Sequence, residues 1–494
     1  MPAWHLWQWQ RLSFRKVAYV VLGFYLLITC YTTFRLLNRN LHTEIKDKKI
    51  LERIKTLTEI ADDPDWNPWG EEFDSEQHKL RKHHVAPALW EMGVRPLQVE
   101  PHPLPVGQRS PLERRDSNSS GLNHVVEICS KAAIGLYLWE HILEGLLESR
   151  LSGIWSYGER TIRSIKFRFR TGPGVVPSKV PRDTENLILV LNGREPSKVE
   201  VSKMWLEFLP SLPLLRNAAV VLLGNERCDN SWIHPYMSIH GGLVKVIFLV
   251  YDSPEVDNVN FFQWPLGVAT YRDFPLIDPS GLAFNHKRPY AFNFLGTVYK
   301  NSSREVLLSA INASTYRHQG YVKPRLEWLP EETAETRDEY LRVLSHSDLT
   351  LSPVGINTEC YRIYESLALG SVPVIEDIMT PGLCGDTPAS LNHQSINNSN
   401  HILLNTAHNK EYILGRGNYS APLRLLKALN APVIFIKDWK ADLDAVLQKE
   451  SEMSDVDIIK RREHVIQWYQ KFKRQMSEQL VNVLLDKFFH RDTR

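Results

Sequence analysis

The sequence carries almost no net charge and few cysteines. Its 494 residues contain 59 lysines and arginines against 57 aspartates and glutamates, a formal net charge of +2 at pH 7. With so little excess charge the chain has no overall field to hold a polyphosphate, so nucleic acid is not expected as a partner. Five cysteines are present, and no Cys-x-x-Cys pair or cysteine–histidine cluster has zinc spacing, so a structural metal is not expected.

One uncharged run is long enough to span a membrane. Residues 17–34 could cross a thin bilayer as a helix. Basic residues flank the run on both sides and leave its orientation undecided. A short tail before the run and the absence of a small-residue cleavage site favour a signal-anchor. We therefore expect a cytoplasmic tail at 1–16, a transmembrane helix at 17–34 and a luminal body, with a core helix or a cleaved signal peptide as the alternatives.

The remainder has features typical of an oxidising lumen. Residues 35–123 are polar and rich in proline from position 62 onwards, which predicts a stem rather than a core. Five N-x-[ST] sequons begin at Asn118, Asn301, Asn312, Asn397 and Asn418. Four cysteines outside the span are available for one or two disulfides: Cys129, Cys228, Cys360 and Cys384. Their pairing stays open at this point.

The body is predicted to contain two α/β lobes. Continuous apolar runs at 186–193, 218–225 and 243–252 are typical of buried strands, and a helical stretch separates the first two. This βαβ pattern indicates a parallel sheet. A packing helix is expected over 130–147, and strand-like runs alternate with helical stretches again after residue 290. We place a first lobe at 124–285 and a second lobe, with a C-terminal helix, at 286–494.

Residues 348–377 predict a strand, a loop, a helix and another strand. Pro353 and Gly355 end the first strand, Thr358 is expected to cap the helix, and Gly370 fits the left-handed position after it. Ligands of parallel sheets bind beyond the carboxyl ends of the strands, where a helix N-terminus favours an anion. A diphosphate is therefore expected on the turn at 355–359.

Arg362 and Glu365 are three residues apart in this helix and so share one face, whereas Tyr361 and Tyr364 are expected to turn toward the sheet. A guanidinium matches the oxygens of a phosphate, and a carboxylate can accept hydrogen bonds from ribose hydroxyls. The pair is thus suited to a nucleoside diphosphate. The alternative is an exposed ion pair with no ligand.

The stretch resembles the signature of exostosin-like glycosyltransferases, in which a Gly-x-x-Thr turn precedes aromatic-Arg-x-aromatic-Glu and then small-Gly-x-x-Pro-Val-Ile. FNFLGTVYKNSSREVLL at 292–308 is similar to the opening of the same lobe in that family. The resemblance implies that the second lobe binds a nucleotide sugar through Gly296, Arg304, Ser352, Gly355, Thr358, Glu359, Tyr361, Arg362 and Glu365. Cys360 departs from the pattern, where a small residue is more usual, and favours a local disulfide.

Further segments resemble one branch of this family: KAAIGLYLWEHILEGLL, LNGRE, LLGNERCDN, FQWPLGVATYR and QWYQKFK. The resemblance implies a GT-B type fold with two Rossmann-like lobes, a Golgi membrane address and other glycosyltransferases of one pathway as possible partners. It implies transfer of xylose from UDP-xylose to ribitol 5-phosphate on the O-mannosyl glycan of α-dystroglycan, in β1,4 linkage. A family member with another donor, or a non-catalytic Golgi glycan-binding scaffold, is the alternative.

A β-linkage made from an α-linked donor inverts the anomeric centre, which requires a general base at the acceptor hydroxyl. The first lobe offers four carboxylates near its strand ends: Glu195, Glu226, Asp229 and Asp252. We favour Glu226 and Asp229, with turn caps or ion pairs to nearby arginines as the alternative. If the acceptor carries a phosphate, Arg194 and Arg272 are candidates to bind it.

Asp-x-Asp triplets are poorly placed for a metal. They begin at Asp63, in the stem, and at Asp442 and Asp455, in polar helical segments. Metal-dependent sugar transferases typically carry such a triplet directly after a strand, where it can hold Mg²⁺ or Mn²⁺ against a diphosphate. No obligatory metal or other cofactor is therefore expected beside the donor substrate.

Overall fold

The computed structural model describes residues 124–282, 286–327, 332–380, 382–384 and 422–490. The predicted tail, span and stem lie outside these ranges, as do the sequons at Asn118, Asn397 and Asn418. Within the described ranges no helix has the length and apolar content needed to cross a membrane. Two sheets and the helices packed against them give an α/β architecture with parallel sheets.

The first sheet contains eight strands in the order β2-β3-β4-β1-β5-β6-β7-β8. The strands are β1 His124–Ser130, β2 Glu148–Arg150, β3 Trp155–Ile162, β4 Ile165–Thr171, β5 Asn186–Asn192, β6 Asn217–Leu223, β7 Val244–Val250 and β8 Phe261–Trp264. Strands β4, β1 and β5 to β8 run parallel to one another. The apolar runs that predicted β5, β6 and β7 are buried along almost their whole length, as strands covered on both faces require.

The antiparallel strands β2 and β3, which extend this sheet beyond β4, were not predicted from the sequence. In β4, buried Ile165, Phe167 and Phe169 alternate with half-exposed residues. This period of two is typical of a strand covered on one face only. Like β2 and β3, β4 was not predicted, because its apolar residues alternate with polar ones and do not form a continuous run.

The second sheet has five parallel strands in the order β10-β9-β11-β12-β13. The strands are β9 Tyr290–Thr297, β10 Gly320–Arg325, β11 Ser347–Ser352, β12 Val372–Glu376 and β13 Ile434–Ile436. The helices of the described chain are Ile134–Leu136, Pro196–Phe208, Ser303–Ala313, Ala334–Ser345, Tyr361–Ala368, Arg424–Ala428, Trp439–Glu452 and Asp455–Leu484. The strand–helix alternation predicted for the second half of the chain is thus confirmed.

The helix expected over 130–147 is shorter and partly of another type. Only Ile134–Leu136 is α-helical, and Tyr137–Ile142 continues as a π-helix. Tyr137, Leu138 and Trp139 are all fully buried. Because a π-helix has more residues per turn, successive side chains fan over a narrower angle, and three neighbours can face one core.

The C-terminal helix Asp455–Leu484 connects the two lobes. It packs against the helix Tyr361–Ala368 in the second lobe and against the π-helical turn of the first lobe. Near the chain end the ring of Phe489 stacks on His124 of β1 at 3.8 Å, and Asn217 of β6 donates a hydrogen bond to the carbonyl of Phe488. The end of the chain therefore packs on the first sheet, although its sequence follows the second.

A disulfide joins Cys228, in the loop after β6, to Cys384, after β12. The sequence left this pairing open. Cys129 is buried and reduced, and Cys360 is also a free thiol, so the local disulfide suggested for Cys360 does not form. The bond links the loop of the first lobe that carries Glu226 to the second lobe.

Candidate active site

Residues 348–377 fold as predicted except at the start of the helix Tyr361–Ala368, here called the signature helix. Gly370 follows it with φ +70°, the left-handed conformation that glycine adopts without strain. Cys360, not Thr358, occupies the N-cap position. The hydroxyl of Thr358 instead donates to the carbonyl of Ile378 at 2.7 Å. Thr358 therefore ties the loop to the segment after β12, and its predicted capping role was wrong.

Two arginines from different helices lie together at the carboxyl end of β9. Arg362 Nη2 donates to the carbonyl of Leu295 at 2.8 Å, and its guanidinium carbon lies 5.4 Å from the ring centre of Phe294. Arg304 Nη1 donates to the carbonyl of Thr297 at 2.7 Å. Burial and the charge of Arg362 lower the pKa of Arg304. Two partly desolvated cations so close together are unfavourable unless an anion binds to them.

Hydrogen-bonding groups around these arginines have no partner among the described residues. They are Nε and Nη1 of Arg362, Nε of Arg304 and Oγ of Ser352, which ends β11. Buried polar groups are nearly always hydrogen-bonded, so unused donors at the ends of two neighbouring strands indicate a ligand site. The oxygens of a pyrophosphate would supply the acceptors that these donors need.

Two glycines make room for the guanidinium groups. A β-carbon at Gly296 would lie 2.6 Å from Arg362 Nη2, and one at Gly355 would lie 2.8 Å from Arg304 Nη2. A carbon and a nitrogen that are not bonded to each other cannot approach so closely, so a larger residue at either glycine would displace the arginine beside it. The structure thus brings together four residues that the sequence predicted for the donor site.

Glu365 is placed differently from the expectation. Its Oε1 accepts the N–H of Ala269 at 2.9 Å, and its Oε2 accepts the hydroxyl of Tyr340 at 2.5 Å. The residue is only 4% exposed, and burial raises the pKa of its carboxyl. Arg362 and Glu365 share one helical face as predicted, but in this structure protein donors, not ribose hydroxyls, bind the carboxylate.

Glu359, like Glu365, accepts a hydrogen bond from a backbone N–H group shortly after β8. Its Oε1 accepts the N–H of Leu266 at 2.9 Å and the hydroxyl of Tyr364 at 2.5 Å. Burial raises the pKa of Glu359 to about 7. Glu359 and Glu365 therefore both hold the backbone of residues 266–269 against the signature helix. This segment is here called the interlobe linker, because it follows β8, the last strand of the first sheet along the chain, and precedes the bound at residue 285 predicted for the first lobe.

Tyr361 points away from the sheet, contrary to the prediction. It is half-buried, and its ring meets that of Tyr271 edge-on at 5.6 Å. Ile363, which is fully buried, takes the core position instead. The helix also begins two residues later than expected.

The three candidate bases have different surroundings. Glu226, after β6, is 25% exposed and accepts a hydrogen bond from Arg194 Nη2 at 2.5 Å. It is also close enough to Arg304 of the second lobe to interact with its charge. The carbonyl of Glu226 accepts Asn357 Nδ2 at 2.8 Å. Glu226 thus lies between cationic groups of the two lobes.

The other two candidates are less suited to reach a ligand. Asp229 accepts a bond from the hydroxyl of Ser231 at 3.0 Å in an exposed local turn. Asp252 is buried and pairs with Arg424 at 2.7 Å. The fourth carboxylate, Glu195, directly precedes the helix Pro196–Phe208, and its side chain makes no capping hydrogen bond.

The two candidate phosphate-binding arginines also differ. Arg194 Nη2 donates to Glu226 and, at 2.7 Å, to the hydroxyl of Tyr251. Arg272 donates to Glu332 at 3.1 Å, and Arg325 binds both oxygens of the same carboxylate. Arg272 is therefore held in an ion-pair network of the second lobe, whereas Arg194 lies beside the candidate base.

Both halves of the described body match known protein families. The RXYLT1 N-terminal domain matches residues 126–265, and the RXYLT1 C-terminal domain matches residues 271–408 and 399–489. Ribitol-5-phosphate xylosyltransferase 1 of Danio rerio is 41% identical over 485 residues, which cover 96% of this chain and 98% of the relative. The chain belongs to the ribitol-5-phosphate xylosyltransferase 1 family.

Two mammalian proteins of the family support the assignment. The Homo sapiens ribitol-5-phosphate xylosyltransferase 1 is 41% identical over 429 residues, covering 86% of this chain and 84% of the relative. The Mus musculus protein is 36% identical over 494 residues, covering 97% and 99%. The resemblance to one branch of the glycosyltransferase family, which was inferred from the sequence, is thus confirmed.

The interlobe linker falls between the two domains that define the ribitol-5-phosphate xylosyltransferase 1 family. In the sequence, FQWPLGVATYR was notable only for its resemblance to the family, and no role was predicted for Ala269 or Tyr271. The hydrogen bonds to Glu359 and Glu365 could not be foreseen, because the donors are backbone N–H groups. Nothing in the side-chain pattern marks such a donor.

Within the described ranges no group of three histidine, cysteine, aspartate or glutamate side chains is arranged to hold a metal ion. Asp442 accepts the N–H groups of Lys437 and Asp438 at a helix start, and Asp455 begins the C-terminal helix. The independence from metal expected for this member of the ribitol-5-phosphate xylosyltransferase 1 family stays a prediction. Asn301 and Asn312, the two sequons in described segments, are exposed.

Proposed function

We propose that this chain is a glycosyltransferase that moves xylose from UDP-xylose to ribitol 5-phosphate on the O-mannosyl glycan of α-dystroglycan, forming a β1,4 linkage with inversion. The names of the relatives support xylose as the transferred sugar and ribitol 5-phosphate as the acceptor. The two α/β sheets, the first largely and the second wholly parallel, support a GT-B type arrangement, in which the donor binds to the second lobe.

The observation that carries the proposal is the pair Arg304 and Arg362. Their unused N–H groups lie where β9 and β11 end, close to the first turn of the signature helix. A diphosphate there would receive charge-assisted hydrogen bonds from both guanidinium groups. When the bond from xylose to UDP breaks, the same groups would stabilise the negative charge that develops on the leaving diphosphate.

Glu226 is the general base of the proposed reaction. It is partly exposed, follows a strand of the first lobe and is near Arg304, where the reacting end of the donor would lie. Its carboxylate would take the proton of the attacking ribitol hydroxyl as the new bond to the anomeric carbon forms. Asp252 is buried in an ion pair, and Asp229 occupies a turn.

The proposed cellular setting follows from the sequence pattern. Residues 17–34 would anchor the chain in the Golgi membrane as a single-pass type II protein, with residues 35–123 as a stem and the two lobes in the lumen. The disulfide between Cys228 and Cys384 is consistent with an oxidising compartment. Other glycosyltransferases of the same pathway are proposed as partners there.

A donor screen tests the proposal. The full-length chain in detergent is incubated with ribitol 5-phosphate and a series of nucleotide sugars, and release of UDP and of the xylosylated product is followed with and without EDTA. We expect turnover with UDP-xylose only, unchanged by EDTA, and a fall of about 100-fold or more in Arg362→Gln. Arg216→Gln, at an exposed ion pair before β6 and so at the opposite end of that strand from Glu226, is the matched control.

The outcomes separate the alternatives. Turnover with a different nucleotide sugar would point to another donor. An absence of UDP binding, together with no turnover on any acceptor, would favour a non-catalytic glycan-binding scaffold. Equal activity of Arg362→Gln and the wild type would refute the donor-site assignment.

A further inference from the structure

Three neighbouring strands of the first sheet end in a polar cluster. Arg194 follows β5, Glu226 follows β6 and Tyr251 follows β7. One nitrogen of Arg194, Nη2, donates to both Glu226 and the Tyr251 hydroxyl, at 2.5 Å and 2.7 Å. The guanidinium carbon also lies 5.9 Å from the ring centre of Tyr251. The side chain is therefore fixed at one end.

The other end of the guanidinium is not used by the described residues. Nε of Arg194 is buried without a partner, and neither of the hydrogen bonds that the Arg194 side chain makes involves Nη1. The side chain is 28% exposed, so a ligand can reach it. Because Nε is buried, Nη1 is the donor through which an additional anion would be bound.

The cations around Arg194 outnumber the carboxylate beside them. Formal charges of the cluster are three cations, Arg194, Arg304 and Arg362, against the carboxylate of Glu226. The diphosphate of the donor would neutralise the two cations of the second lobe. Arg194 is then paired with Glu226 alone, so an acceptor phosphate would share its guanidinium with that carboxylate. The competing candidate, Arg272, is engaged with Glu332.

We propose that Arg194 binds the phosphate of the acceptor and, through the same side chain, positions Glu226 against the ribitol hydroxyl. The inference rests on the proposed function, because it takes ribitol 5-phosphate as the acceptor. A phosphate oxygen that accepts from Nη1 would place the attached alditol beside the carboxylate that Nη2 holds. Arg194 thus selects an acceptor that carries a phosphate.

The test compares two acceptors, ribitol 5-phosphate and ribitol, with the full-length enzyme and UDP-xylose. For wild type we expect kcat/KM to favour the phosphorylated acceptor by about 10-fold or more, as a charge-assisted hydrogen bond allows. Arg194→Gln should lower kcat on both acceptors, because Glu226 loses the bond that positions it, and should also lose most of the preference through a rise in KM for ribitol 5-phosphate. Arg194→Lys, which keeps the charge but not the fork, should retain part of it.

Glu226→Gln is the contrasting variant, because it should lower kcat on both acceptors while the preference for phosphate remains. Inorganic phosphate should inhibit the wild type in competition with the acceptor, and about tenfold less effectively inhibit Arg194→Gln. Thermal melting shows whether each variant is folded, and Tyr251→Phe, which removes one anchor of Arg194, supplies a second and milder change.

An equal loss on both acceptors in Arg194→Gln, or a wild type without any preference for the phosphate, would overturn the role of Arg194 and leave the proposed function intact. A wild type that transfers no xylose to ribitol 5-phosphate would instead refute the proposed function, and the inference with it.

Discussion

The Oε1 atom of Glu365 accepts the backbone N–H of Ala269 at 2.9 Å, which connects the signature helix to the interlobe linker. The Oε2 atom accepts the hydroxyl of Tyr340. A carboxylate expected to bind a nucleotide thus also joins the two lobes. The two roles lead to different effects when the side chain is changed.

We expect Glu365→Ala to lower both the melting temperature and the rate of UDP release. The N–H of Ala269 and the hydroxyl of Tyr340 would each lose an acceptor while buried, at a cost of about 1–3 kcal/mol for each group. Glu365→Gln, which keeps one acceptor oxygen, should recover part of the stability. A Glu365→Ala protein with unchanged melting but a raised KM for UDP-xylose would instead show that ribose binding is the main role.

Glu359 should make the stability of the fold depend on pH. Burial raises the pKa of Glu359 to about 7, above the ordinary value near 4.5, so the folded chain binds the proton more tightly than the unfolded chain. Its contribution is therefore fully present below about pH 4.5 and is lost as the pH rises through about 7. The expected size is a few kcal/mol.

The measurement is the free energy of unfolding of wild type and Glu359→Gln across pH 4.5 to 8. The glutamine cannot titrate, so the difference between the two proteins should change over this interval in the direction given above. Parallel curves would show that Glu359 has the same pKa in the folded and unfolded chains. Glu335→Gln, at a fully exposed position, controls for the removal of a charge.

The disulfide between Cys228 and Cys384 closes a loop with a sequence separation of 156. Cys384→Ser should lower the free energy of unfolding by about 2–5 kcal/mol, since the unfolded chain gains conformational freedom. It should also lower kcat, because the loop that carries Glu226 loses its tie to the second lobe. Calorimetry and UDP release under oxidising and reducing conditions measure both effects.

Cys360→Ser is the matched control, because that thiol is free. The double variant Cys228→Ser, Cys384→Ser should match either single variant, since one bond is lost in each case. Stability of Cys384→Ser equal to that of the wild type in oxidising buffer would mean that the bond does not form in solution.

The parts of the fold that could be predicted are those fixed by local pattern. Strands β5, β6 and β7 are apolar throughout because helices or other elements cover both faces, and Gly370 is required by a left-handed turn. Of the donor-site residues, Arg362 was predicted from its spacing in the helix, and Arg304 from the resemblance to a family signature.

What could not be predicted depends on contacts between distant segments. The partner of Cys228 lies across the lobes, and the return of Phe488 to the first sheet follows a helix with no marker of its destination. Glu365 could be assigned to a face of its helix, but its backbone partner belongs to the linker 96 positions away. These contacts depend on how the whole body packs, and a local sequence pattern carries no information about that packing.

Gly296→Ala should weaken donor binding through Arg362. The new β-carbon would lie 2.6 Å from Nη2 of Arg362, so the guanidinium would have to leave the carbonyl of Leu295 and the position proposed for the diphosphate. We expect KM for UDP-xylose to rise about tenfold or more, with a change in stability of only about 1 kcal/mol.

A double-mutant cycle with Arg362→Lys isolates the cause. Lysine has no planar fork to collide with the β-carbon, so Gly296→Ala should have little further effect on KM in that background. The same reasoning applies to Gly355→Ala with Arg304→Lys, since a β-carbon at Gly355 would lie 2.8 Å from Arg304 Nη2. Strictly additive effects of the paired changes on UDP-xylose binding would show that the glycines act independently of the arginines, and the close approach would then have no part in holding the donor.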